Sequence, residues 1–268
     1  MNYHFFDYKY NIQNFHSDLF STTHIIYIIL AVISVILLGY FLRNVNHKKL
    51  SIFLKILAIF TLIFEITKIS WESYYDISRG DGFNFGGILP IYACSLLIYC
   101  LIGASFTKGM IRETCLSWLS TIGLVCGMIG VIYTNGLNYY PFWTFGAFYS
   151  LFFHYALLLV GVILLTTGYK KLEWKDIYIS LIPIVALALI ATPINYIVGS
   201  DYMQIQRGSS VPLMEDLAKF LGEHHMRPLF NILMIAAYMI PSALVISIYK
   251  LVMYLKTYKK TSNNFKQA

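Results

Sequence analysis

From Thr114 to Tyr169 the chain carries no Asp, Glu, Lys or Arg. A membrane-spanning helix needs about 20 predominantly apolar residues, so this stretch is too long for one helix. Asn135, Gly136, Asn138 and Pro141 mark the hairpin that divides it in two. The rest of the chain follows suit: 58% of residues are hydrophobic and 12% charged, with a mean hydropathy of +0.64. A soluble domain carries about 25% charged residues. A water-soluble enzyme, a nucleic-acid reader and a disordered tail are therefore excluded. The net charge of +7 is spread between apolar runs, where it records membrane topology rather than a nucleic-acid partner. The fold class expected is all-α, a polytopic membrane helix bundle.

Seven spans are expected, over residues 25–42, 52–70, 88–106, 115–133, 143–165, 177–198 and 229–249. The second is the least apolar, because it holds Lys55, Glu65 and Lys68. With an odd number of spans the termini lie on opposite sides. One set of connecting segments holds 13 basic residues: Arg43, Lys48, Lys49, Lys108, Arg112, Lys170, Lys171, Lys175 and the five lysines from Lys250 onward. The other holds 5: Lys9, Arg79, Arg207, Lys219 and Arg227. Basic loops stay cytoplasmic, so the N-terminus is expected outside and the C-terminus inside, in the cell membrane.

Residues 1–23 carry one Lys and no small-residue cleavage site, which predicts no removable signal peptide. Their aromatics (Tyr3, Phe5, Phe6, Tyr8, Tyr10, Phe15 and Phe20) suit an interfacial extracytoplasmic segment. Residues 24–255 form the transmembrane domain and residues 256–268 a basic cytoplasmic tail. Loop 199–227 is external; it holds a polar stretch, 204–210, and an amphipathic helix expected over 212–221. Cys94, Cys100, Cys115 and Cys126 make no metal or disulfide pattern, and no cofactor or metal is expected.

Small residues predict close helix contacts: Gly123, Gly127 and Gly130 on the fourth span, and Gly146, Ser150 and Gly161 with His154 on the fifth. Pro183 and Pro193 should bend or loosen the sixth. Ionisable groups inside a bilayer are costly and face the bundle interior. Lys55 and Lys68 lie near span ends, where a long side chain reaches the interface. Lys68 at i+3 is also placed to neutralise Glu65. Glu65, Cys94 and His154 lie roughly 8, 9 and 14–16 Å below the outer end of their spans. His24, Asn195 and Tyr202 stand near the same level. The sequence predicts that these side chains converge on the outer half of the bundle, with no comparable set on the cytoplasmic half.

A thiolate is a strong nucleophile, an imidazole can take the thiol proton, and a carboxylate or amide can orient the imidazole. The catalytic pair expected is Cys94 and His154, with Glu65, His24, Asn195 and Tyr202 as a supporting polar cluster. In a bundle open to lipid the esters within reach are those of membrane lipids, which are the partners expected. Two other readings use the same residues. One is a small-molecule or proton-coupled transporter working through Glu65 and His154. The other is a non-catalytic lipid-binding protein. A metal site built from His24, Glu65, Cys94 and His154 has no ligand motif behind it. The sequence does not determine the oligomeric state.

In order and spacing, FSTTHI with His24, FEITKISW with Glu65, LPIYACSLLIY with Cys94, FFHYALLL with His154 and NYIVGSDYM with Asn195, Gly199 and Tyr202 resemble the YwaF-like bacterial integral membrane family. That family is related to a eukaryotic transmembrane lipid acyltransferase, and the resemblance covers about residues 15–250. It implies a seven-helix fold and acyl transfer on membrane lipids, with Cys94 as nucleophile and His154 as base. The chain departs from the family pattern at Tyr92, where a His is usual two residues before the Cys, and at Asp201, where Asn is usual.

Overall fold

The computed structural model describes residues 3–12, 16–208 and 212–267, without the side chains of 212, 213 and 259–267. Among these residues the chain is all-helical: α1 (Thr22–Leu42), α2 (His47–Ser78), α3 (Leu96–Phe106), α4 (Gly109–Ser120), α5 (Ile122–Ile132), α6 (Gly136–Tyr139), α7 (Phe145–Thr166), α8 (Asp176–Ile179), α9 (Leu181–Val198), α10 (Pro212–Glu223), α11 (Arg227–Ala237) and α12 (Met239–Gln267). Phe15, Ser209 and Ser210 lie outside the described residues, as do the side chains of Lys259, Lys260 and Lys266 in the expected tail.

Six stretches are long and apolar enough to cross a membrane: Thr22–Leu42, His47–Ser78, Gly109–Tyr139, Phe145–Thr166, Asp176–Val198 and Arg227–Tyr258. Their outward side chains, such as Ile26, Leu30, Ile36 and Phe41 on α1, are exposed and apolar, which suits lipid rather than water. The third expected span is the exception. Its helix begins at Ala93 and ends at Phe106, about 21 Å at 1.5 Å per residue. The hydrocarbon core is about 30 Å thick. The cause is tertiary: the Tyr202 hydroxyl donates to Phe85 O and accepts from Leu89 N–H, which holds the segment ahead of Ala93 in irregular backbone.

α7 is the central post, packed against α1, α2, α4 and α5. Its partnership with α5 rests on the expected small residues. A Cβ on Gly127 would sit 2.4 Å from the Leu158 nitrogen, and one on Gly161 would sit 2.6 Å from Leu124 Cβ. The stretch Gly109–Tyr139, expected as the fourth span, breaks between α4 and α5 at Thr121 (φ −125°, ψ −88°), whose hydroxyl donates to Ser117 O at 2.6 Å. The expected sixth span breaks at Ser180, ahead of Pro183, and carries Pro193 within α9. The expected amphipathic helix is α10, whose Ala218 and Leu221 pack on Phe230 of α11.

The N-terminal segment folds over one end of the bundle. Tyr8 is buried there, stacked on Tyr75 at 5.3 Å and edge-on to Trp71 at 5.2 Å. Phe6 O accepts from Trp71 Nε1 and the Tyr75 hydroxyl at 2.9 and 3.1 Å. Phe5, Phe6, Tyr10 and Phe20 remain exposed.

Candidate functional site

Leu50, Leu54, Ala58, Thr61 and Glu65 are the buried residues of one α2 stripe, spaced three or four apart as one helix face requires. Helical geometry thus carries a carboxyl group, 3% exposed, into the interior. The Tyr149 hydroxyl of α7 donates to Glu65 Oε2. The pairing expected between Glu65 and Lys68 is replaced by another. Lys68 Nζ meets Glu72 Oε2 at 2.7 Å and donates to Ile88 O at 3.3 Å. Position i+4 brings the lysine beside Glu72, while Glu65 turns toward α7.

Cys94 sits on the short helical turn Ala93–Ser95 that leads into α3, a turn that touches both α5 and α7. The thiol is half-buried, close enough to Glu65 and Lys68 to feel their charge. Cys126 of α5, Tyr149 and Tyr238 lie within the same electrostatic range of Cys94. Cys126 and Tyr238 are neighbours that the sequence reading did not single out. Nothing in their local pattern separates them from packing residues.

Asn195 and Tyr202 hold the segment ahead of Cys94. Asn195 Oδ1 accepts from Ser200 Oγ and Tyr202 N–H, both at 2.8 Å, and its Nδ2 donates to Tyr202 O at 3.0 Å. The Tyr202 hydroxyl donates to Phe85 O at 2.7 Å and accepts from Leu89 N–H at 3.1 Å, and its ring packs on Tyr92 at 4.9 Å. Burial pushes the Tyr202 hydroxyl up to about 12, so it keeps the proton it donates. That proton is committed to Phe85, and the amide is committed to its own loop. Both residues therefore act as struts for the Cys94 turn rather than as donors to a developing oxyanion. Tyr202→Phe is expected to cost about 1–3 kcal/mol, the penalty for leaving a buried carbonyl without its donor. Thermal unfolding of the purified variant in detergent measures it, and an unchanged melting temperature would rule out the strut.

The buried His24 and the half-buried His154 differ in tautomer. Phe20 N–H donates to His24 Nδ1 at 3.0 Å and His24 Nε2 contacts Val131 O at 3.2 Å. A carbonyl only accepts, so His24 carries its proton on Nε2 and both nitrogens are occupied. His154 Nδ1 contacts Ser150 O at 2.8 Å. The same rule puts the His154 proton on Nδ1 and leaves Nε2 without a hydrogen-bond partner among the described residues, its edge turned to Gly130, where a Cβ would fall 2.5 Å from Nε2. The ring lies against α5, where a Cβ on Gly130 would fall 1.9 Å from His154 Cδ2. No hydrogen bond joins Cys94 to His154 among the described residues.

The polar groups therefore sort into four sets: Glu65, Lys68 and Tyr149 around Cys94; His154 on the α5 side of α7; His24 between Phe20 N–H and Val131 O; and the Asn195–Tyr202 clasp. Among the described residues no group of three or more His, Cys, Asp or Glu is placed to hold a metal. The sequence marked no comparable polar set on the other half of the bundle, and the structure holds one at the opposite end. Asp176, wholly buried, accepts from Ser117 Oγ at 2.6 Å and pairs with Lys170 at 3.0 Å. Lys170 also reaches Glu113 at 3.2 Å. In sequence Lys170 and Asp176 read as loop residues, and only the fold of the 167–175 connection buries them together.

A family model described as the TMEM164 family matches residues 19–240 of the chain. No curated protein and no solved structure matches it.

Proposed function

From the premise that the chain belongs to the TMEM164 family, we propose that it is a membrane-embedded acyltransferase acting on lipid acyl esters through Cys94 and His154. The observation that supports this reading is that His154 Nε2 has no hydrogen-bond partner among the described residues, on a helix that the turn bearing the half-buried Cys94 also touches. The YwaF-like resemblance points to the same pair. In this reading the short Ala93–Phe106 helix and the segment before it make the third of seven passes. The N-terminal segment and Cys94 then belong to the outer half.

The steps balance without a cofactor. His154 Nε2 takes the Cys94 proton, directly or through one water. The thiolate attacks the ester carbonyl, a C–S bond forms and the C–O bond breaks. The departing lipid oxygen takes the proton from His154. An acceptor hydroxyl then gives its proton to His154 and attacks the thioester, and the thiolate recovers that proton as it leaves. Glu65, carrying the Tyr149 hydroxyl bond, sets the local charge that the thiolate meets.

The test is direct. Purified protein in phospholipid nanodiscs is expected to show an intact-mass increase of one acyl group, removed by hydroxylamine. A folded protein that forms no such adduct with any phospholipid donor would defeat the proposal.

A further inference from the structure

The capped end of the bundle holds a groove of about 550 Å³ between the N-terminal segment, the end of α2 and the 81–86 loop. Tyr10, Phe83 and Phe85 form aromatic walls, and Asp76, Asp81 and Asn84 supply polar atoms. Asp76 is 2% exposed, and its Oδ2 accepts no hydrogen bond. The Tyr8 hydroxyl is a hydrogen-bonding neighbour of the same carboxyl group.

Two other acids beside the groove have cations. Glu72 pairs with Lys68 at 2.7 Å and Asp81 with Arg79 at 3.2 Å. Asp76 is in no ion pair among the described residues. The same aromatic rim already receives cations from the chain: Arg79 Cζ stands 4.0 Å from the Tyr10 ring centroid and Lys9 Nζ 5.1 Å. A groove walled by aromatic rings and lined by a buried Asp, one of whose carboxylate oxygens accepts no hydrogen bond, is the environment that an organic ammonium ion occupies. A divalent metal needs six or more oxygen ligands, or water in their place. Aromatic walls do not provide them.

We infer that the groove formed by Asp76, Asp81, Tyr10, Phe83 and Phe85 binds an organic ammonium group, with Asp76 as its counter-ion and the rings around its methyl or methylene face. The site is separate from Cys94 and stands independently of the acyl-transfer reading.

Choline chloride is the probe, titrated calorimetrically into the purified full-length protein in maltoside micelles. Saturable binding is expected. Asp76→Asn should weaken it by at least about tenfold, because a buried charge loses its partner. Phe85→Ala, at an exposed rim position that does not endanger folding, should weaken it by about two- to fivefold. Cys94→Ala should bind choline as the native protein does. Competition by a short-chain phosphatidylcholine, but not by phosphatidylglycerol, assigns the site to a lipid headgroup. Choline binding without that competition assigns it to a free amine. The inference is overturned if the folded native protein binds no choline. It is also overturned if Asp76→Asn and Phe85→Ala bind as the native protein does, or if magnesium displaces choline at lower concentration.

Discussion

Cys94→Ala is expected to abolish acyl-adduct formation and all transfer that passes through it, while the chain keeps its fold. The side chain is half-buried and ties no other element by a hydrogen bond, so its loss removes the nucleophile and little else. His154→Ala should instead leave slow transfer, reduced by about 10²–10⁴-fold, the usual contribution of a general base. The thiol can still ionise rarely without it. His154→Ala also opens space against Gly130, so its melting temperature is measured beside its rate. Transfer of a labelled acyl group from phospholipid in nanodiscs reads both variants. A carrier working through Glu65 and His154 predicts another ranking: Glu65→Gln and His154→Ala would stop flux in proteoliposomes, and Cys94→Ala would pass unnoticed. Undiminished transfer by Cys94→Ala removes the catalytic assignment.

Lys170→Met should lower the stability of the bundle by about 3–5 kcal/mol, the penalty for leaving a buried charge without its partner. Asp176 is wholly buried and Lys170 nearly so, and their 3.0 Å pair joins the 167–175 connection to the start of α8. Ser117 Oγ and Glu173 N–H still reach the carboxylate, at 2.6 and 2.7 Å. Neither carries a positive charge. The double variant Lys170→Met/Asp176→Asn removes the charge along with its partner and should recover most of the loss. Thermal unfolding in detergent compares the three proteins. Equal melting temperatures for Lys170→Met and the native chain would show that the pair is not holding this end together.

What could be read in advance follows from periodicity and size. The three- and four-residue spacing that ends at Glu65 turns a carboxyl group inward whatever lies opposite. Gly127 and Gly161 announce a close approach of two helices because a Cβ would not fit. The amphipathic pattern of 212–221 became α10 for the same reason. What could not be read was the partner each polar atom chose. Lys68 is three residues from Glu65 and four from Glu72, and both are sterically open to it on a single helix. The Tyr149 hydroxyl on α7 meets Glu65, and Lys68 pairs with Glu72. His24 and His154 are likewise alike in sequence. They differ because one ring lies between two backbone partners and the other meets a single carbonyl.

The stretch over residues 88–106 shows where the division falls. Apolar content alone marked residues 88–106 as a crossing, since hydropathy is a property of composition and needs no partner. The helix starts only at Ala93 because Tyr202, from a loop more than a hundred residues away in sequence, ties Phe85 and Leu89 in irregular backbone. The amino-acid sequence by itself thus determined that this is a multi-pass helical membrane protein and which faces of its helices turn inward. Both are set by short-range spacing and by the cost of charge in lipid. The tertiary structure alone decided which groups became struts, which carboxylates found cations, and which imidazole kept a nitrogen without a hydrogen-bond partner among the described residues. Hydrogen bonds and ion pairs act over a few ångströms between elements whose proximity no local pattern encodes.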